Sequence, residues 1–197
     1  MKRAIIFPLI FFLFIISNSG CLSLRESYIP QNLLTDGWYE DFGSEEKGSG
    51  FLGLSKWSTK VYRKGEVAYL SVTSVKSLIM ESKEKLLEKV EDDIEKQAHK
   101  YGIEIISSSR TYGSREIAKG HKTLFVIYNG SKGDHGYKII GEVWSCSKSG
   151  ISVICMGFSD VSEVEGIKGW QKIVSDPEGS IDDLVGDDGL IYNVICH

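Results

Sequence analysis

In the stretch 82–101 apolar residues recur every three or four positions: Leu86, Leu87, Val90, Ile94, Ala98 and Tyr101 fall on one stripe. That spacing predicts an amphipathic helix, with Ser82 as N-cap and Gly102 at the left-handed C-cap position. Lys83, Glu84, Lys85, Glu88, Lys89, Glu91, Asp92, Glu95 and Lys96 occupy the rest of its surface, as expected of a solvated face. A single apolar stripe predicts packing against one face of a sheet.

Elsewhere the period is closer to two. Residues 55–63 and 66–75 are rich in Val, Tyr, Thr and Trp and are separated by Lys64-Gly65, which predicts a β-hairpin. In its second strand Ala68, Leu70 and Val72 share one face while Ser71 and Thr73 share the other, so one side is expected to be wet. Four more strands are predicted at 103–111, 122–128, 137–146 and 151–158, with turns at Asn129-Gly130-Ser131 and Lys148-Ser149-Gly150. A short helix at 162–174 would turn Val164, Ile167, Trp170 and Ile173 inward. The fold class is therefore α+β: an antiparallel sheet of about six strands with the long helix 82–101 and a short C-terminal helix packed on it. One globular domain is expected over 33–175, opening near Asp36-Gly37, a turn signal, with Trp38 covered. Residues 176–197 read as an acidic tail that closes on a candidate strand at 190–196.

The N-terminus has a different pattern. Lys2 and Arg3 precede thirteen mostly apolar residues, 4–16, and then Ser17-Asn18-Ser19-Gly20-Cys21. This is the three-part layout of a secretory signal peptide. A bilayer core needs about 20 apolar helical residues, so an uncleaved span is the weaker reading. Ser17 and Ser19 suit an ordinary signal peptidase cut before Gly20. Ser19-Gly20-Cys21 instead resembles the lipobox of secreted lipoproteins, in which the cysteine becomes the first mature residue and carries lipid. Asn18 stands where that box prefers leucine, a departure that affects the bacterial form of processing more than the looser archaeal one. The expectation is a signal peptide at 1–20, lipid on Cys21 and a polar tether at 21–32. All these readings place the rest of the chain outside the cytoplasm; the lipid and the uncleaved span anchor it to the cell membrane, whereas the ordinary cut would release it.

Charge narrows the partners. The whole chain carries net charge −4, and removing 1–20 takes away two basic residues and no acid. An acidic domain without a basic block is unsuited to nucleic acid, whose binding depends on Lys and Arg releasing counterions. The expected partners are the membrane, through lipid or helix, and another envelope protein.

Several tempting motifs do not hold up. Gly48-x-Gly50-x-x-Gly53 has the dinucleotide spacing, but no strand leads into it and no helix follows, so a loop between strands is expected. His99, His121, His135 and His197 form no H-x-x-x-H pair, and Cys196-His197 alone makes a poor ligand set. Asp182, Asp183, Asp187 and Asp188 lack EF-hand spacing. No catalytic residue, metal site or cofactor is therefore assigned. Asn129-Gly130-Ser131 is a glycosylation sequon on a predicted turn, making Asn129 a candidate acceptor. With Cys21 lipidated, Cys146, Cys155 and Cys196 remain. A two-residue loop Ser149-Gly150 would put Cys146 and Cys155 on the same face, diagonally related; the three-residue loop 148–150, whose turn chemistry fits better, points them to opposite faces and leaves Cys196 with Cys146 or with Cys155 as the disulfide candidates.

The order of hairpin, long helix, four strands and short helix resembles the PsbP-like fold, shared by an extrinsic luminal subunit of photosystem II and a Ran-binding nuclear import protein. Gly37-Trp38, Gly113, Gly120, Tyr128 and Trp170-x-x-Ile173 carry the local part of the resemblance. It implies an α/β/α sandwich around an antiparallel sheet, used mainly to bind partners. The expected function is a membrane-tethered extracytoplasmic binding or accessory module without enzymatic activity. The alternatives are a secreted enzyme whose site is assembled by the fold, and a structural component of the cell envelope.

Overall fold

The computed structural model describes residues 23–50, 54–174 and 189–197. The signal segment, Cys21 and the aspartates at 182–188 lie outside the described residues. The strands are β1 (Trp38–Glu40), β2 (Glu46–Ser49), β3 (Ser55–Lys64), β4 (Ala68–Ser77), β5 (Glu104–Ile117), β6 (His121–Lys132), β7 (His135–Cys146) and β8 (Ile151–Asp160). The helices are α1 (Lys83–Tyr101) and α2 (Val164–Val174). All eight strands form one antiparallel sheet in the order β1-β3-β4-β8-β7-β6-β5, with β2 also paired to β3. The expected six strands become eight because the two short ones, β1 and β2, are built from Trp38-Tyr39-Glu40 and Glu46-Lys47-Gly48-Ser49, too short or too polar to show a period.

The two helices lie on opposite faces. On β7, Ile139 and Val143 meet Leu86, Val90 and Ile94 of α1, and Gly141 lies directly under that helix. The alternate residues Ile140 and Trp144 pack with Trp170, Ile173 and Val174 of α2. The strand period of two thus sorts one sheet into two cores.

Helix α1 follows its sequence closely. Ser82 accepts a hydrogen bond from the Lys85 backbone, and Gly102 closes the helix at φ 70° and ψ 26°. Leu86, Leu87, Val90, Ile94 and Ala98 are buried, but Tyr101 is half exposed at the last turn, where the helix runs past the sheet core. Glu91, expected in solvent, accepts hydrogen bonds from Tyr112 and Tyr128 and fixes the helix over β5 and β6.

Helix α2 departs from its expected face. Trp170, Ile173 and Val174 are buried, whereas Val164 and Ile167 are exposed. Gly166 and Gly169 take their place against the sheet: a Cβ on Gly166 would fall 1.5 Å from the Asp160 carbonyl oxygen. The approach is too close for any larger side chain.

The turns also differ. Asn129-Gly130-Ser131 lies inside β6, and the chain reverses at Gly133-Asp134, where Gly133 has φ 59°. A glycine at the first position of a two-residue loop suits the right-handed twist of the hairpin. The next loop has four residues, because Cys146 pairs with Ile151 and Gly150 donates back to the Cys146 carbonyl. Strand β5 continues to Ile117, beyond the expected end at 111, past an irregularity between Ile106 and Thr111 that breaks the period of two.

Both segments flanking the domain pack on it. Ser27 donates its backbone N–H to Ser74 Oγ, and Ile29 donates to the Tyr62 hydroxyl. Tyr28 and Ile195 pair as an antiparallel bridge. Leu190, Ile191, Val194 and Cys196 are buried in the α2-side core. The stretches read as tether and tail therefore contribute core side chains at 27–29 and 190–196.

Candidate functional site

Two arrangements stand out, one on each face. On the first face α1 covers β5 to β8 and leaves β3 and β4 open. The result is a cleft of about 620 Å³. Its floor is the side of the hairpin that carries Thr73 and the buried Ser71, with Tyr69 beside them on β4 and Thr59 and Arg63 on β3. Asp93, Gln97, Lys100 and Tyr101 of α1 form one wall, and residues 43–46 form the other. The Thr59 and Thr73 hydroxyls are 2.8 Å apart on paired positions. Trp57 lines the cleft, with Gly48 of β2 lying so close to its ring that a Cβ there would sit 2.6 Å away. Gly48 thus serves ring packing within the β2–β3 pair.

The cation at the cleft is held in place. The Arg63 guanidinium bonds Asp41 at 2.8 Å and lies 5.3 Å from the centre of the Tyr69 ring. The Ser44 hydroxyl and then Arg63 hold the Asp41 carboxyl below its usual range. Burial raises the Tyr69 phenol, keeping it neutral. Fixed hydroxyls, aromatic rings and a neutralised ion pair suit an uncharged polar ligand better than an anion.

On the second face, near the far ends of β6 and β7, four ligand-type residues converge. His121 opens β6 after a tight turn in which Lys119 and Gly120 have φ 71° and 76°. Cys146 closes β7. Cys196 and His197 arrive on the C-terminal segment, which is held by the Tyr28–Ile195 bridge and by Ala118 N–H donating to the Tyr192 carbonyl. One nitrogen or sulfur from each residue lies within 4.8 Å of all the others. Cys196 Sγ is 3.2 Å from His121 Nε2 and 3.6 Å from His197 Nδ1, and Cys146 Sγ is 3.5 Å from His197 Nδ1.

The cysteine geometry follows from the four-residue loop. Cys146 and Cys155 point to the same face, contrary to the expected three-residue register, but Cys155 sits opposite Glu142, four residues along β7 from Cys146. That is about 13 Å along the strand, far beyond disulfide reach. Cys196 meets Cys146 and not Cys155, and Cys146, Cys155 and Cys196 are free thiols. Burial, then Glu142, pushes the Cys155 thiol well up. Burial and a shared proton with Cys146 push Cys196 up to about 12. Burial would raise Cys146 as well, but hydrogen bonds from Cys196 and Ser149 outweigh it and lower it. Burial and neighbouring positive charge keep both His121 and His197 below the usual imidazole value.

The remaining sequence candidates stay apart. His99 is exposed on α1, and His135 bonds Asp160 at 2.6 Å on the opposite edge of β7 and β8. Asn129 is exposed on β6, with its backbone N–H donating to Ser109 Oγ. The cluster was hidden from the sequence because its members come from three places separated by 25 and 50 positions, and only Cys196-His197 gave a local sign.

No family model matches this chain, and no curated protein matches it as a relative. Among the described residues no helix is long and apolar enough to cross a membrane.

Proposed function

We propose that this chain is an extracytoplasmic module, held at the cell membrane through lipid on Cys21, that binds an uncharged, hydroxyl-rich ligand of the glycan type in the cleft between α1 and β3–β4. The observation that carries the reading is the half-covered sheet. Helix α1 buries only part of one face, and the remainder presents the half-buried Thr59 and Thr73 hydroxyls beside Trp57, Tyr69 and Tyr101. A sheet face left uncovered normally carries charged or scattered polar side chains; a concave row of hydroxyls and rings is what a sugar ring needs on its polar edge and its apolar face. A PsbP-like fold is part of the proposal, supported by the helices on opposite faces of an antiparallel sheet. The strand order of the family members would have to match β1-β3-β4-β8-β7-β6-β5, and a different order there removes that reading.

Two experiments test it. Titration of the labelled domain with a panel of neutral oligosaccharides should shift amide resonances of β3, β4 and the end of α1. Shifts elsewhere, or none with any member, reject the cleft. The intact mass of protein extracted from its native membrane should correspond to a chain starting at Cys21 plus lipid. A mass for residues 1–197 would instead make the N-terminus a retained anchor.

A further inference from the structure

The Cys–His cluster is on the other face of the sheet from the cleft and plays no part in the proposed ligand binding. Two sulfurs and two imidazole nitrogens converge on one point, and the hydrogen bonds of the fold do not require this. A disulfide between Cys146 and Cys196 would use the sulfurs and leave both histidines without a purpose there. Both sulfurs are buried, and both rings are partly open to solvent, which leaves an entry path.

The spacing has a specific meaning. A tetrahedral ion bonded to sulfur at about 2.3 Å and to nitrogen at about 2.0 Å sets sulfur–nitrogen edges of about 3.5 Å. The three sulfur–nitrogen contacts measure 3.2, 3.5 and 3.6 Å. The rings meet at 79° with centroids 5.6 Å apart, so two nitrogens aim into the space from different directions instead of stacking. The donors are borderline-soft and two can be anionic, which would neutralise a divalent charge in a half-buried place. Beside Cys196, the Trp144 indole N–H, on a fully buried side chain, offers the sulfur a donor that offsets part of the upward push of burial. Donors of that kind support thiolate ligands from outside the coordination sphere.

We propose that His121 Nε2, Cys146 Sγ, Cys196 Sγ and His197 Nδ1 form a closed tetrahedral site for a thiophilic divalent cation, Zn2+, which staples the C-terminal segment to the ends of β6 and β7. Binding displaces the thiol protons to the buffer, and neither sulfur changes oxidation state. Four protein ligands leave no open position for substrate, so the site is structural. Lys148 opposes it: its Nζ lies 3.3 Å from His197 Nε2, and its ammonium donates to that nitrogen only while Nδ1 carries the proton. Lys148 is exposed and has to turn away when the ion enters.

The test uses the full chain, reduced and metal-free, titrated with Co2+ as a spectroscopic stand-in. One equivalent should produce the strong visible bands of tetrahedral cobalt with a thiolate charge-transfer band, and one equivalent of Zn2+ should abolish them. Cys146→Ser and His121→Ala should each weaken binding by about tenfold or more. Cys155→Ala, buried on the same face but outside the cluster, should bind as the parent does. Lys148→Met should bind more tightly than the parent, and as an exposed change it leaves folding out of the comparison. The proposal is overturned by absence of binding to folded parent protein, by a weak octahedral spectrum, or by equal binding in Cys146→Ser. A Cys146–Cys196 disulfide in protein isolated without reductant would overturn it too.

Discussion

Arg115 of β5 reaches across β6 to Glu142 of β7, and the two side chains form a bidentate ion pair that is almost completely sealed from water. Thr123, on the strand between them, donates its hydroxyl to Glu142, and Arg115 also donates to the Val174 carbonyl at the end of α2. One ionic network therefore ties three strands to the second helix. Charges placed this deep in a core are tolerated only when every donor and acceptor is used. Glu142→Leu alone or Arg115→Met alone should each lower unfolding free energy by about 3–5 kcal/mol, because each leaves the other charge unpaired. The double variant should lose less than either single change. Urea unfolding of the four proteins measures this, and additive losses would show that the pair does not act as a unit.

The glycine face of α2 leads to a second expectation. A methyl group at Gly166 would meet the backbone carbonyl of Asp160, which cannot rotate away, whereas one at Gly136 would meet only the Ser162 and Val161 side chains at 3.7 and 3.9 Å. Gly166→Ala should therefore destabilise by about 1–3 kcal/mol and loosen α2, and Gly136→Ala should cost clearly less. Melting curves of the two variants, with near-ultraviolet circular dichroism for Trp170, compare them.

Cleft and core should respond differently to mutation. Tyr101 is half exposed and Thr73 lies on the open floor, so Tyr101→Ala and Thr73→Lys should change stability by no more than about 1 kcal/mol. Both should nevertheless abolish oligosaccharide-induced shifts in the parent assay. Binding unchanged in Thr73→Lys would move the ligand site elsewhere.

Acid sensitivity follows from the carboxylates beside β3. Hydrogen bonds from Ser44 and Arg63 lower Asp41, Lys60 lowers Glu45, and Lys168 followed by Lys64 holds Glu165 down to about 2. Their folded-state values lie below the unfolded ones, so the unfolded chain takes up protons first as pH falls. The stabilisation is complete above about pH 4.5 and is lost progressively as pH falls toward 2. Urea midpoints for the metal-free protein should drop across that window, and the drop should shrink in Asp41→Asn, which removes one of the titrating groups.

Helix α1 was legible because its signals are local: a cap, a stripe at helical spacing and a terminal glycine all lie within 82–102. The β3–β4 hairpin was legible for the same reason, although Lys64 belongs to β3 with the loop at Gly65-Glu66-Val67, and Ser71 on the side expected to be wet is buried. The strand pairing β7–β8 was located correctly, but its loop length was not. Lys148-Ser149-Gly150 has good three-residue chemistry, and only the pairing of Cys146 with Ile151, set by two packed cores, selects four. Apolar periodicity puts Val164 and Ile167 inward because it takes no account of how closely a helix can approach; Gly166 and Gly169 decide that.

The sequence by itself determined the class of the fold, the capped helix and the hairpin, because each of these is encoded within a few neighbouring residues. Tertiary structure alone decided the rest. The cleft exists because a nineteen-residue helix is too narrow to cover an eight-stranded sheet. The buried Arg115–Glu142 pair and the meeting of His121, Cys146, Cys196 and His197 exist because antiparallel strands return distant positions to the same edge. Side chains 25 to 75 residues apart carry no mutual signal until strand register sets them side by side.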